Sequence, residues 1–235
     1  MSILTTIACA SLAGVSAFLW QRQVKLKREA HIRTFVLPKG LFEKLTQKHP
    51  HLSTKECQLV AQGLRQFFLA HLKSGRKFVS MPSQVVDDLW HEFILYTKNY
   101  HQFCQHAFGR FLHHTPAIVL GTARQDDGGL RRCWHFACLE ENINPGKPSR
   151  LPLLFALDTK LNIPNGFIYT PDCSGFRRQD DSSGTVYCGA ELGSSDGSGG
   201  GDSGSCGSGG NDGGSDGGGG DSGCGGGGCG GGGGD

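Results

Sequence analysis

Three catalytic signatures are missing from this sequence. It has no His-Glu-x-x-His pair and no phosphate-binding loop ending in Gly-Lys-Ser/Thr, and no Gly-x-Ser-x-Gly elbow stands outside its Gly/Ser-rich C-terminal stretch. Those absences remove the zinc-peptidase helix, the P-loop nucleotide site and the α/β-hydrolase nucleophile. An excess of one charge sign is missing too: 23 Lys and Arg face 21 Asp and Glu, a net charge of +2. Nucleic acid is therefore not expected as the main partner.

What is present falls into three zones: residues 1–28, 29–192 and 193–235. Ile3 to Trp20 has no charged side chain, and a basic cluster of Arg22, Lys25, Lys27 and Arg28 follows it directly. At about 1.5 Å per residue the run would just cross a thin bilayer of about 27 Å. Trp20 sits where an indole favours the interface, and charge placed after the run argues against a cleaved leader. The expectation is an uncleaved single-pass anchor with a membrane as partner and, by the positive-inside bias, a cytoplasmic body. The last zone is almost wholly Gly, Ser and Asp with Cys206, Cys224 and Cys229. It shows no apolar periodicity and reads as a disordered acidic tail whose protein partners the sequence does not name.

The body, roughly 170 residues, is long enough for one hydrophobic core. Its periodicity predicts a mainly α, compact helical domain with little β. Leu41 to Gln47 reads as a short helix. Ser53 and Glu56 make a capping box, with Leu52 and Cys57 placed as a staple, opening a helix that ends near Gly75. His71 on its apolar stripe reads as a satisfied boundary histidine. A further helix is expected over Leu130 to Asn142, capped by Asp126 or Asp127, and another over Leu151 to Leu161. Ala117 to Gly121 reads as a short helical or extended run. Gly166 to Pro171 and Thr185 to Cys188 read as two short extended arms.

The densest stretch is Met81 to Pro116, MPSQVVDDLWHEFILYTKNYHQFCQHAFGRFLHHTP. Val86, Leu89, Phe93, Tyr96, Tyr100, Phe103 and Ala107 form one stripe at helical spacing, so a continuous buried helix is expected, beginning at Pro82. His91 projects away from that stripe, with Asp87 and Asp88 one turn earlier. A carboxylate there would hold one imidazole nitrogen and leave the other free for a metal or a proton. The same spacing also suits a helix-surface Asp–His pair of a few tenths of a kcal/mol. Cys104 would be about 20 Å from His91 along a straight helix, and so would share a metal with it only if the helix breaks. Gly109 makes a reversal plausible, returning His113 or His114 towards His91, and successive side chains diverge, so one of the two faces any shared site. His101 and His106 are expected to face solvent. Cys133, His135, Cys138, Cys173 and Cys188 form a looser second candidate set. Their default reading is reduced, buried thiols.

Val86-Asp87-Asp88-Leu89-Trp90-His91, with Tyr100, Phe108-Gly109 and His113-His114, resembles the glycine-rich domain-containing protein family. Leu151 to Cys173 looks like the bacterial branch of that family. The resemblance implies a site at Trp90-His91 with Tyr100 as a structural aromatic, and no established enzymatic activity. The expected role is structural or binding, with zinc as the foremost candidate cofactor, on His91, His113, His114 or Cys104. A metal-dependent hydrolase, with Asp87 or Asp88 moving a proton, is the alternative. A third possibility is an assembly factor that recruits partners through its tail.

Overall fold

The structure, a computed structural model, describes residues 3–114, 128–171 and 186–193. Ala117 to Gly121, the Asp126 and Asp127 cap, Cys173 and the Gly-rich tail lie outside the described residues. As expected, the body is mainly helical. Its helices are α1 (Ile3–Thr34), α2 (Leu41–Lys48), α3 (Thr54–Lys73), α4 (Gln84–Leu95), α5 (Thr97–Phe108), α6 (Gly128–Glu140), α7 (Leu153–Lys160) and α8 (Gly189–Gly193). Strands β1 (Ile168–Thr170) and β2 (Val186–Cys188) pair in parallel, with Ile168 opposite Val186.

The N-terminal zone departs from the expectation. Among the described residues no helix is long and apolar enough to cross a membrane. The reading of Ile3 to Trp20 as a single-pass anchor with a cytoplasmic body is therefore overturned. The run falls short of the roughly 20 apolar residues a span requires, and it is diluted by Ser11, Gly14 and Ser16. Its helix also does not stop at the basic cluster but continues to Thr34. The last turns of α1 belong to the body: Ile32 is fully buried and Phe35 packs against the core.

α3 is the hub, packing against α1, α2, α4, α6 and α7. Its start is the capping box read from sequence, with the Ser53 Oγ accepting from the Glu56 amide and the Glu56 carboxylate accepting from the Ser53 amide. Cys57, Val60, Leu64, Phe67 and Phe68 on its inner face are all buried. Gly63 lets α7 approach: a Cβ there would lie 2.4 Å from Leu157 Cδ1. His71 is the satisfied histidine expected, its Nδ1 3.0 Å from the Lys77 carbonyl and its ring edge-on to Phe108. Burial pushes its pKa down to about 4.

The expected single central helix is two. Gln84 opens α4 behind an N-cap at Ser83, later than Pro82, and Tyr96 (φ −79°, ψ 60°) separates α4 from α5. The Tyr96 amide donates to the Phe93 carbonyl in a tight turn, while its hydroxyl reaches across to the Lys39 carbonyl, 3.3 Å away. Periodicity could not show the break because the stripe survives it: Leu89, Phe93, Tyr100, Phe103 and Ala107 are buried on both sides of it.

The heads of α4 and α7 also draw on acceptors from elsewhere in the chain. The buried Asp158 carboxylate on α7 accepts from Ser83 Oγ (2.7 Å), from the Gln84 and Val85 amides (2.7 and 3.2 Å) and from the Phe167 amide (2.9 Å). An anion at a helix N-terminus also meets the positive end of the macrodipole. α7 begins at Pro152 without a cap of its own, and its Leu153 and Leu154 amides donate to Glu141 and Gln66.

Candidate metal centre on the Trp-His helix

The site starts from the turn after α5. Gly109 takes a left-handed conformation (φ 72°), and its amide donates to the Cys104 and Gln105 carbonyls, closing the helix in the manner glycine permits. The chain then folds back as a short strap, residues 110–114. Tyr100 holds that strap. Trp90 Nε1–H donates to the Tyr100 hydroxyl at 3.2 Å, and the Tyr100 O–H donates to the Leu112 carbonyl at 2.6 Å. Two residues further on, His114 lies against the Trp90 ring in a T-shaped contact, centroids 4.5 Å apart. Burial pushes the Tyr100 phenol pKa up, so it stays a donor to Leu112.

His114 therefore arrives over α4. Its Nε2 is 2.9 Å from Asp87 Oδ1, and His91 Nδ1 is 3.5 Å from Asp87 Oδ2. The two imidazole rings stand 4.3 Å apart at 56°. One ligand atom from each of Asp87, His91 and His114 lies within 4.8 Å of the others. Around an ion with bonds of about 2.0–2.2 Å, tetrahedral ligand atoms stand roughly 3.3 Å apart. Asp87 and each histidine are already near that spacing. The His91 side chain is 48% exposed and the His114 side chain 12%, so one ligand is held by packing and the other faces outward.

The other sequence candidates go elsewhere. His113 is exposed and packs on Phe111, centroids 4.8 Å apart. Cys104 is fully buried beneath the strap beside Tyr100 and Leu112, where burial pushes its thiol pKa up. Asp88 points away from His91. It lies 2.8 Å from His49 Nε2 and 2.6 Å from Lys48 Nζ, and Gln84 Nε2 donates to it at 3.1 Å. The reason is the helix itself, which turns successive side chains by about 100°. Asp87 and not Asp88 is therefore the carboxylate beside the histidines. His49, which sequence reading passed over, carries no local signal because its partner is 39 positions away.

Among the described residues, Cys133, His135, Cys138 and Cys188 form no metal-ligand cluster. Cys133 and Cys138 are free and buried in α6, with burial pushing the Cys138 thiol up to about 12. His135 is exposed and edge-on to Phe136. Cys188 is disulfide-bonded, contrary to the expectation of reduced thiols throughout the body.

Comparison with curated proteins returns no match, and comparison with solved structures returns none. The sequence model of one family, UCP032817-like, matches residues 27–192. That span covers the body and leaves out the Gly-rich tail. Nothing in the comparisons points to the glycine-rich domain-containing family, so that resemblance is corrected: it rested on two short stretches, both inside the span that the UCP032817-like model matches. By its helical body, from the last turns of α1 to α8, the chain belongs to the UCP032817-like family.

Proposed function

We propose that this protein binds one divalent transition-metal ion, zinc foremost, through Asp87, His91 and His114. The observation that carries the reading is the mutual approach of their three ligand atoms within 4.8 Å. The donor set supports it: two imidazoles and a carboxylate suit zinc and other borderline divalent ions. Construction supports it as well, since Trp90 and Tyr100 do for His114 what outer partners do for metal ligands, fixing ring and backbone in place. A metal held by His114 Nε2 would take the place of the hydrogen shared with Asp87, the ring's proton moving to Nδ1, and the Asp87 carboxylate would serve as a ligand.

Three protein ligands leave a position for water, which is the pattern of catalytic zinc. A hydrolase also needs a base, and neither acid is free to serve. Asp87 is engaged as a ligand, and Asp88 is held by Lys48 and His49. Binding therefore stands ahead of hydrolysis.

The test is metal analysis of the full chain after zinc loading and removal of loose metal, wild type beside His91→Ala and His114→Ala. One zinc per chain is expected in wild type and none in either variant, with helical circular dichroism retained. A metal-free wild type, or full occupancy in a folded His114→Ala variant, would overturn the proposal.

A further inference from the structure

The docked end of α1 rests on a feature unconnected with Asp87. Val24, Arg28, His31, Ile32 and Phe35 fall on one side of the chain at helical spacing and, with Glu29 at its edge, are the residues there that lose exposure. His31 lies between Phe35 and Phe103, centroids 5.6 and 5.7 Å away, and 5.2 Å from the ring of His106 on α5. His31 Nε2 is buried without a hydrogen-bond partner, the one such side-chain nitrogen or oxygen among the described residues. His106 Nδ1 meets the Gln102 carbonyl at 2.8 Å, which fixes its proton there and leaves Nε2 as the basic atom of the neutral ring.

We propose that His31, packed against His106, forms a pH-sensitive latch, which holds the last turns of α1 on α5 while the His31 ring is neutral and releases them on acidification. Charged groups of both signs stand on the helices around the pair. On α1 these are Arg28, whose guanidinium lies over Gly109, then Glu29, and Arg33, which is paired with Glu140 of α6. On α3 they are Arg65, which donates to the Phe35 carbonyl, and Lys73, which is bonded to Glu140. Neither imidazole has a carboxylate partner among the described residues. Glu140 does not titrate in the same range: burial raises its pKa, but hydrogen bonds from Arg33 and Lys73 more than offset this and lower it. Burial first, then the neighbouring His106, lowers the pKa of His31. A base with a lowered native pKa binds fewer protons docked than released. Docking is therefore complete above the ordinary histidine value, about 6.5, and weakens as pH falls from there towards the lowered value.

Hydrogen exchange on the full chain at pH 7.5 and 5.5, corrected for intrinsic rates, tests this at the amides of residues 28–34 beside those of α4. In wild type, protection over 28–34 is expected to drop, by at most about tenfold because pH 5.5 lies about one unit below the ordinary histidine value, while α4 keeps its protection. His31→Phe preserves a ring against Phe35 and Phe103 and should abolish the drop; His31→Leu serves should the first variant fail to fold. Unchanged protection in wild type, an equal drop in the variant, or a parallel loss across α4 would each overturn the latch.

Discussion

Asp87 and Asp88 are neighbours in sequence, and the helix gives them different chemistries. Asp87 is 23% exposed and faces two histidines, one turned outward and one packed on Trp90. Asp88 is 3% exposed and accepts from Lys48, His49 and Gln84. The first arrangement keeps coordination capacity in reserve, while the second joins α2 to α4. A buried carboxylate with both oxygens engaged by side chains is a structural joint. A carboxylate at the rim, with imidazoles converging on it, is where a ligand can enter.

The largest effect separating the two is expected at Asp88. Asp88→Ala leaves His49 buried without its partner and should destabilise the fold by about 3 kcal/mol, the lower end for a broken buried pair because Lys48 is mostly exposed. Urea unfolding would read this, with zinc stoichiometry unchanged in the protein that remains folded. The same joint sets an acid limit. Burial pushes the Asp88 pKa up, but the Lys48 and His49 hydrogen bonds outweigh this and lower it. Its contribution is therefore present above the ordinary carboxylate value and lost as pH falls through the lowered one. Asp88→Ala should flatten that acid limb.

Tyr100→Phe falls between the two regions. It removes the hydroxyl that joins Trp90 to Leu112 and should destabilise by about 1–2 kcal/mol. By loosening the strap under His114, it should also weaken zinc binding about tenfold to a hundredfold in competition with a chelating dye. Equal zinc affinity with lowered stability would separate the strap from the site. The smallest effect is expected at His113, next in sequence to a ligand yet outside the cluster. His113→Ala should change stability by less than about 0.5 kcal/mol and leave zinc affinity as it was.

What the sequence disclosed follows the range of the interactions. The Ser53 and Glu56 box was legible because both partners lie within one helical turn. The turn at Gly109 was legible because glycine alone takes its backbone angle easily. The break at Tyr96 was not, because the buried apolar stripe runs on through it. Helical spacing put Asp87 and Asp88 on different faces but could not say which face His114 would return to. That choice is made by Trp90 and Tyr100. His31 was hidden for another reason: it follows a basic run that read as a membrane flank, and its neighbour His106 is the solvent-facing residue that the sequence suggested, with no local sign of what packs on its inner edge.

The carboxylate at the head of α4 has a consequence for how the chain is made. Asp158 lies 75 positions beyond Ser83, so while the protein emerges from the ribosome the Gln84 and Val85 amides lack this acceptor until residue 158 has been made. The cap of the helix bearing Asp87 and His91 is thus completed only from the C-terminal third of the body.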